Sequence, residues 1–469
     1  MLHFFHEFLD TIVKSSLLPL SLLFFIFGID DLIISILLWW YHLTPSQLSR
    51  EEFLYIYEQP EKPLAILVAA WQEAGVLSQM VRGNINLLNY KDVDFYLGVY
   101  PNDPYTVQEA IALQNEFKNV YVVTNPQPGP TTKGQMINEL VKSVFTNESK
   151  IRKTYQGFVI HDSEDLINSH SLKIMSWLLN EYDLIQIPVF SLPVSAKNWV
   201  AGTYIDEFAE AHTRDLLVRS HLKLPIPSAG VGTALSRKLV QKYRIENGGG
   251  LLNGDTVTED YELGVSTGKY GLKSFFACYF LRNESTSGSQ KTEFIATREY
   301  FPKAWNRSVR QKTRWVLGVA LQGWSNLGWS GNLANRYFLY RDRKGPISNL
   351  VSGLGVLVFG ISIIRGTLNS SSSFGNENYI FPLLTINLAF MILRMVGRFR
   401  SVYWIYGWKT ALLSPLRFPI ASIINALASI RAIGQYIRGR SSNRPIQWVK
   451  TEHELPDGFG LKLKPKVEQ

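Results

Sequence analysis

The chain has 469 residues and a formal net charge of +9, and 46% of its residues are hydrophobic with a mean hydropathy of −0.01. This balance excludes a purely membrane-embedded bundle and a disordered chain, and it indicates a sizeable folded core with a few membrane segments. The single cysteine, Cys278, excludes an internal disulfide bond and a cysteine-based zinc site.

The first apolar segment, Leu17–Tyr41, is long enough to cross a bilayer. Asp30 and Asp31 lie near its middle, and an acid at the centre of a membrane helix costs about 2.5–3.5 kcal/mol. The pair therefore requires partners, protonation or a polar cavity, and a buried or interfacial hairpin is the alternative. We expect residues 1–45 to form an N-terminal transmembrane segment.

Short β-rich runs alternate with helical runs after this segment. The β-rich runs are Leu64–Ala70, Phe95–Tyr100, Val120–Thr124 and Phe158–His161. Helical stretches such as Ala74–Leu88 and Thr106–Phe117 separate them. The alternation predicts an open, mainly parallel α/β sheet with helices on both faces, within a domain that spans 60–330. Such sheets bind ligands at the carboxyl ends of their strands.

Polar residues follow the first strands at these ends. Glu73 comes after the first strand and Asp103 after the second, where a carboxylate can accept from a base N–H or a ribose hydroxyl. An Asx turn is the alternative for the Asn-Asp-Pro string around Asp103. Lys133 lies at the start of a predicted helix, against the dipole preference, so a nearby diphosphate would explain it. A solvated lysine is the alternative.

The acidic string His161-Asp162-Ser163-Glu164-Asp165 ends the fourth β-rich run. Asp162 and Glu164 can both reach one hard cation, which takes oxygen ligands and keeps water or phosphate in the rest of its shell. His161 points to the other face and is expected to be a packing residue. The alternative is that Asp162 or Ser163 caps a helix.

Three further strings lie between this acidic string and the next apolar segment. The glycine-rich string Ser228–Thr233 indicates a close approach of the backbone to substrate or a plain turn. Thr258-Glu259-Asp260 supplies a candidate base, with a helix-capping pair as the alternative. Gln311, Arg314 and Trp315 share a basic helix in which Arg314 suits a diphosphate. An amphipathic interfacial helix is the alternative.

Two more apolar segments, Ile347–Ile364 and Tyr379–Val396, have the length of membrane spans. The loop 366–378 between them contains no Lys or Arg, whereas several Arg residues follow the later segment. The positive-inside rule therefore places this loop outside and the region 42–346 inside.

The last apolar stretch, Val402–Ile433, is interrupted by Pro415 and Pro419. A single crossing would place the basic tail 435–469 outside, against the positive-inside rule. We therefore expect an interfacial or re-entrant helical stretch, or two short crossings. The region 345–434 then comprises transmembrane and interfacial helices, and the tail is cytosolic.

In combination, the polar strings resemble the signature of processive, membrane-embedded glycosyltransferases of family 2, which is D, DxD, TED and QxxRW in this order. The matching positions are Asp103, Asp162-Ser163-Glu164, Thr258-Glu259-Asp260 and Gln311–Trp315. The resemblance covers residues 60–330. Glu164 stands where many members have Asp, which leaves open whether Glu164 or Asp165 completes the metal site.

The resemblance implies a GT-A-like open mixed sheet with a Rossmann-like nucleotide-binding half and flanking transmembrane helices. On the donor side, it implies that Glu73 and Asp103 hold the nucleoside and that Lys133 holds the diphosphate region. It also implies a cofactor, Mg²⁺ or Mn²⁺, at Asp162 and Glu164.

On the acceptor side, the resemblance implies that Asp260, beside Glu259, is the general base. Gln311 and Arg314 would grip the donor and its diphosphate, and Trp315 would stack under the acceptor sugar. Direct displacement needs one base on the attacking hydroxyl and charge stabilisation on the departing diphosphate, and attack opposite the leaving group predicts inversion.

The sequence thus predicts a multi-pass bacterial inner-membrane hexosyltransferase, with a cytosolic catalytic domain, that transfers sugar from a nucleotide sugar such as a UDP-sugar to a surface polysaccharide. Expected partners are the donor, a glycan acceptor, membrane lipid and an outer-membrane export protein. Nucleic acid is excluded because no basic face with interleaved aromatics lies outside the membrane-proximal regions. A catalytically inactive membrane scaffold or receptor component is the alternative, and the intact polar strings argue against it.

Overall fold

The computed structural model of the chain describes residues 2–254, 256–284, 290–368 and 380–442. Most of the loop 366–378, for which an outside location is expected, and most of the basic tail 435–469 lie outside the described residues.

The strands follow one another along the chain in short segments. In chain order they are β1 (Ser46–Gln47), β2 (Leu64–Ala69), β3 (Val93–Val99), β4 (Val120–Thr124), β5 (Gly157–His161), β6 (Leu184–Gln186), β7 (Val189–Ser191), β8 (Thr233–Ser236), β9 (Ser274–Phe276), β10 (Tyr279–Glu284), β11 (Gln290–Phe294) and β12 (Thr297–Glu299).

The helices include long apolar ones at both ends of the chain. In chain order they are α1 (Leu2–Trp40), α2 (Arg50–Glu58), α3 (Leu77–Leu87), α4 (Pro104–Glu116), α5 (Lys133–Ile151), α6 (Ser171–Leu178), α7 (Trp199–Glu210), α8 (Leu216–His221), α9 (Arg237–Glu246), α10 (Glu259–Ser266), α11 (Trp305–Trp315), α12 (Gly323–Leu327), α13 (Leu333–Arg343), α14 (Gly345–Leu368), α15 (Phe381–Tyr406) and α16 (Trp408–Ser442). Two π-helical turns, Ala211–Asp215 and Val316–Gln322, continue α7 and α11.

The main sheet has seven strands in the order β4-β3-β2-β5-β8-β6-β9. The strands from β4 to β5 are parallel, and β8 runs antiparallel to both of its neighbours. The expected open mixed α/β sheet is therefore confirmed. Two smaller sheets, β1-β10-β11 and β12-β7, lie beside it.

Successive residues of β2 are buried on opposite faces of the sheet, as the period of a strand requires. Ile66 joins one core cluster with α3, α4 and α6, whereas Leu67 joins a second cluster with α5 and α9. Both side chains are fully buried. Helices therefore cover both faces, which explains why the parallel strands are continuously apolar in sequence.

The predicted helix Ala74–Leu88 begins later than expected, at Leu77. Gly75 adopts a φ of +83°, which lies in the left-handed region and cannot continue a right-handed helix. The segment before Leu77 is consequently a loop at the end of β2.

Four described helices are long and apolar enough to cross a membrane, by length and composition: Glu7–Trp40, Gly345–Arg365, Phe381–Tyr406 and Trp408–Gly439. Within α16 the chain does not break at Pro415 and Pro419, so of the expected alternatives a continuous helical stretch describes it better than two short crossings. The missing N–H of Pro415 leaves the carbonyl of Ala411 without its helical donor, and the hydroxyl of Ser414 donates to that oxygen at 2.8 Å. This bond helps the helix to continue through the proline.

Asp30 and Asp31 have the partners that an acid pair in an apolar helix requires. Asp30 accepts from Tyr337 at 2.7 Å and pairs with Arg341 at 2.6 Å and with Lys344. Asp31 pairs with Arg394 at 3.3 Å. Three cations therefore neutralise the acid pair: Arg341 of α13, Lys344, which follows α13, and Arg394 of α15.

Candidate active site

A cleft with a cavity volume of about 150 Å³ opens at the carboxyl ends of β2, β3 and β5. All of the predicted site residues except Asp103 line it: Glu73, Lys133, Asp162, Glu164, Glu259, Asp260, Gln311, Arg314 and Trp315. These residues come from five separate parts of the chain. The fold thus brings together the polar strings that the sequence singled out.

Asp103 lies behind the cleft, and the described residues that line the cleft do not include it. Its carboxylate accepts from the backbone N–H of Gln72 at 2.6 Å and of Thr106 at 3.5 Å, so it caps α4. The hydroxyl of Thr106 in turn accepts from the N–H of Glu73 at 3.0 Å. Asp103 therefore holds the loop that presents Glu73, and its side chain caps a helix, which was not predicted from sequence.

Asp162 and Glu164 face the cleft, whereas Asp165 turns inward. The carboxylate of Asp165 lies 2.7 Å from Nδ1 of His161 and accepts from the N–H of Asp162 at 3.0 Å. Burial raises the pKa of Asp165 well above its ordinary value and lowers the pKa of His161 to about 3. The next helix begins only at Ser171, so the helix-cap alternative for Asp162 is wrong.

Lys133 is the first residue of α5, and its ammonium group points into the cleft. It donates to the carbonyl of Gly230 at 2.9 Å and forms an ion pair with Asp162. Burial opposes its charge, but the carboxylates of Asp162, Asp260 and Glu259 outweigh burial and raise its pKa. The alternative of a solvated lysine is therefore wrong.

Glu259 and Asp260 occupy the first turn of α10. Burial raises the pKa of both carboxyl groups; Asp260 raises that of Glu259 further, and Lys133 opposes the shift. Gly230 has a φ of +76°, and a Cβ there would overlap Oδ2 of Asp260. The glycine-rich string thus makes room for the carboxylate of Asp260.

Gln311, Arg314 and Trp315 lie at the C-terminal half of α11. The Trp315 ring packs edge-on against Tyr204 and Phe208, with centroids 5.9 Å and 5.8 Å away. The Oε1 of Gln311 is buried and has no hydrogen-bond partner in the described part of the chain. This helix also contacts α16, one of the four long apolar helices.

Trp71, Tyr100 and Glu299 are among the cleft residues that were not predicted from sequence. Trp71 packs edge-on against Tyr100, with centroids 5.1 Å apart, and both line the cleft. Their positions in the loops after β2 and β3 were the available signal. Glu299 lines the cleft from β12, in a different sheet, and no sequence pattern marks it.

Whether the cleft could bind a divalent cation depends on the oxygen ligands that its side chains offer. Among the described residues, no group of three or more His, Cys, Asp or Glu could hold a metal ion by itself. Mg²⁺ is commonly bound by one or two carboxylates together with substrate phosphates. Asp162 and Glu164, which line the same cleft, suit a cation that arrives with a diphosphate.

The family model described as "Glycosyltransferase like family 2" matches residues 60–318. Bacteriophage adsorption protein B of Escherichia coli strain K12 is 34% identical over 470 residues. Bacteriophage N4 adsorption protein B of Escherichia coli O157:H7 has the same identity over the same length. Each match covers 96% of this chain, and the chain spans only 63% of each relative.

The solved structures that the chain matches are remote in sequence. A mannosyltransferase of Pyrobaculum calidifontis, in complex with GDP-Man and Mn²⁺, is 11% identical with a TM-score of 0.46, covering 91% of this chain and 99% of that one. TarS of S. aureus, in complex with UDP-GlcNAc, is 9% identical with a TM-score of 0.34, covering 84% and 97%.

Proposed function

Because the chain belongs to glycosyltransferase family 2, we propose that it is an inverting hexosyltransferase of the bacterial inner membrane. Its donor would be a nucleotide sugar, with UDP-sugars as the first candidates, and its acceptor a growing surface glycan. The observation that carries this proposal is the convergence of the acidic strings, Lys133 and the Gln311–Trp315 string on one cleft.

On the donor side, Glu73 would contact the nucleoside, and Asp103 would act through the loop that it holds. Asp162 and Glu164 would hold Mg²⁺ or Mn²⁺, which when bound neutralises charge on the diphosphate. We prefer Glu164 to Asp165 as the second acid because Asp165 is turned inward against His161.

Two cations of the chain itself would stabilise the departing diphosphate. Lys133 is held charged by surrounding carboxylates, and Arg314 enters the cleft from α11. A guanidinium group offers planar, paired donors that match phosphate oxygens. Gln311, whose buried Oε1 lacks a partner among the described residues, would accept a hydrogen bond from the donor.

On the acceptor side, Asp260 would take the proton from the attacking hydroxyl, with Glu259 beside it. Burial raises the pKa of Asp260, which brings the group closer to neutral pH and makes it a stronger base. Trp315, supported by Tyr204 and Phe208, would form a flat platform for the acceptor sugar.

We propose that α1, α14 and α15 cross the membrane and that the domain 60–330 is cytosolic. For α16 we prefer an interfacial position because it contacts the domain along most of its length. Arg417 bonds to Asp206 at 2.8 Å, Asn425 to Glu207 at 2.9 Å, and Tyr436 to Ser325 at 2.9 Å. This position also keeps the basic tail on the cytosolic side.

The relatives are named for phage adsorption, which supports a product or assembly at the cell surface. We therefore propose a surface polysaccharide as the product and an outer-membrane export protein as a partner. The same names also suit an inactive scaffold or receptor component, which is the second candidate.

Incubation of membranes that contain the full chain with a panel of radiolabelled nucleotide sugars tests the proposal. We expect one donor to label a polymeric product, and membranes with the Asp162→Asn/Glu164→Gln variant to show only background. Equal labelling by both membranes would contradict the proposed site, and no labelling with any donor would favour the scaffold. Nuclear magnetic resonance of the product should show inversion at the anomeric carbon.

A further inference from the structure

A second cavity lies between α1 and α15, far from the catalytic residues in sequence. These two helices run side by side in the same direction. Asn387 donates to the carbonyl of Ser21 at 2.8 Å, the rings of Phe25 and Phe390 stack at 6.0 Å, and Asp31 pairs with Arg394. Later residues of one helix thus meet later residues of the other.

A cavity of about 370 Å³ opens near the C-terminal ends of both helices. The π-helical turn Ala211–Asp215 adds a third wall through Thr213 and Arg214. The cavity is therefore bounded by two proposed membrane helices and by the domain that would lie in the cytosol.

Exposed aromatic side chains surround this level of the molecule. Trp39 is 72% exposed, Trp40 67% and Tyr403 50%. Tryptophan and tyrosine collect at the boundary between lipid and water, where one part of the ring system is apolar and another is polar. The cavity thus lies at the depth of lipid headgroups.

The walls of the cavity have two chemical characters. Leu38, Leu393 and Val396 supply apolar surface, and Arg214 and Arg400 supply positive charge. A lipid combines the same two characters, because an acyl chain adjoins a phosphate group.

The two arginines differ in their surroundings. Arg400 is exposed, lies over the ring of Trp404 at 4.8 Å, and forms no ion pair with any residue that the structure describes. Arg214 donates to Ser35 at 2.8 Å and interacts electrostatically with Glu210. Arg400 is therefore the cation with positive charge left for an external phosphate.

Gly397 determines where the guanidinium group of Arg214 lies. A Cβ at this position would overlap Nη1 of Arg214, so the helix leaves a gap that the arginine occupies. Glycine costs about 1 kcal/mol relative to alanine within a helix. The gap thus places a second cation in the cavity at some cost in helix stability.

We propose that this cavity binds an anionic phospholipid of the surrounding leaflet, with its phosphate on Arg400 and Arg214 and an acyl chain along Leu393 and Val396. Charge complementarity and the level of the aromatic side chains carry the inference. It rests on the proposed membrane placement of α1 and α15, and it does not depend on the proposed sugar transfer.

Native mass spectrometry of the full chain in a neutral detergent tests the inference. Phosphatidylglycerol is titrated against phosphatidylcholine with the same acyl chains, and inorganic phosphate serves as a competitor. We expect one phosphatidylglycerol to bind at least 10-fold more tightly than phosphatidylcholine, with no displacement by inorganic phosphate. Equal binding of the two lipids, or displacement by inorganic phosphate, would overturn the proposal.

Three variants locate the binding. Arg400→Gln should weaken phosphatidylglycerol binding at least 10-fold, and Gly397→Ala should weaken it by moving Arg214 without removing a charge. Arg336→Gln, which removes an exposed arginine of α13, should bind like the wild type. If Arg400→Gln bound as tightly as Arg336→Gln, the site would be elsewhere.

The Asp260→Asn variant separates this inference from the proposed reaction. It should not transfer sugar, yet it should bind phosphatidylglycerol as the wild type does. Loss of lipid binding in this variant would contradict the independence of the two sites.

Discussion

Two clusters of charge in this molecule are built from the same residue types but differ in balance. The junction cluster, where α1 meets α13 and α15, sets three carboxylates against three cations: Asp30, Asp31 and Asp215 against Arg341, Lys344 and Arg394. The cleft cluster sets six carboxylates against two cations: Glu73, Asp162, Glu164, Glu259, Asp260 and Glu299 against Lys133 and Arg314.

The difference in balance distinguishes what each cluster can do. Charges that neutralise one another at the junction join helices, and removing one partner would leave an uncompensated charge. Burial, and next the carboxylate of Asp260, raises the pKa of Glu259 in the cleft, and such a shift is typical of functional sites. A cation that arrives with a diphosphate would restore the balance there.

The largest expected effect is the loss of the proposed metal ligands. The Asp162→Asn/Glu164→Gln variant should lose about 100-fold or more in transfer rate, because a bound cation stabilises the transition state by several kcal/mol. Sugar transfer and Mn²⁺ binding in the presence of nucleoside diphosphate measure the two effects.

Asp165→Asn is the control for these ligands. The substitution changes a carboxylate that contacts His161 and the N–H of Asp162, so the variant should have lower thermal stability than the wild type. Its affinity for Mn²⁺ should be nearly unchanged. A larger loss of affinity in this variant than in Glu164→Gln would make Asp165 the ligand.

At the junction, Asp30→Asn should reduce the free energy of unfolding by about 3 kcal/mol, because Arg341 and Lys344 would lose the carboxylate that lies nearest to both. Asp31 pairs with the same two cations only at longer distances, 3.5 Å and 3.8 Å. Transfer per folded molecule should be unchanged. Glu116→Gln breaks an exposed pair with Arg82 and should cost less than about 1 kcal/mol. Equal costs, measured by thermal unfolding in detergent, would show that the junction cluster stabilises the fold no more than an exposed ion pair does.

Gly230→Ala tests whether the cleft positions Asp260. The added Cβ would push Oδ2 of Asp260 aside, and such a misplacement should lower the transfer rate about 10- to 100-fold. Gly271→Ala is the matched control, because Gly271 also has a positive φ, +66°, but no atom lies within 4 Å of the added Cβ. Similar rates in the two variants would show that backbone strain alone explains the loss.

The smallest expected effect is on stability as a function of pH. Glu259 has its pKa raised to about 7 in the folded chain. Its contribution to stability is therefore full below its ordinary value, near 4.5, and is lost as the pH rises through 7. Relative to Glu259→Gln, the wild type should lose stability on the order of 1 kcal/mol between pH 5 and 8. If thermal unfolding showed the same change in stability between pH 5 and 8 for both proteins, the predicted cost of ionising Glu259 in the folded chain would be refuted.

The sequence predicted β2 to β5 and the strand-end residues of the cleft for one physical reason, whereas the cleft residues of α10 and α11 were predicted from the family resemblance. Parallel strands end at the same edge of a sheet, so polar strings after successive strands must converge. The helix boundary at Leu77 and the continuity of α16 were not predictable in this way. Each depends on a local conformation or bond, a positive φ at Gly75 and the hydroxyl of Ser414 on Ala411.

Prediction from sequence was also limited where residues that are distant along the chain come together in the fold. Glu299 lines the cleft from β12, in a separate two-stranded sheet. No local sequence pattern predicts that β12 pairs with β7. Asp103 matched a motif, yet its contacts make it a helix cap that holds the loop before Glu73. Motif order thus identified the region, and the structure distinguished residues that face the cleft from those that support it.

Transfer and binding by the Asp260→Asn variant test the central claim most directly. Equilibrium binding of the labelled nucleotide sugar and its transfer to product are measured on the same membranes as for the wild type. Binding should persist because Asp260 acts on the acceptor, and transfer should fall by about 100- to 10,000-fold, the range for a lost general base. Wild-type turnover by this variant would contradict the assignment of Asp260 as the base and, with it, the proposed site.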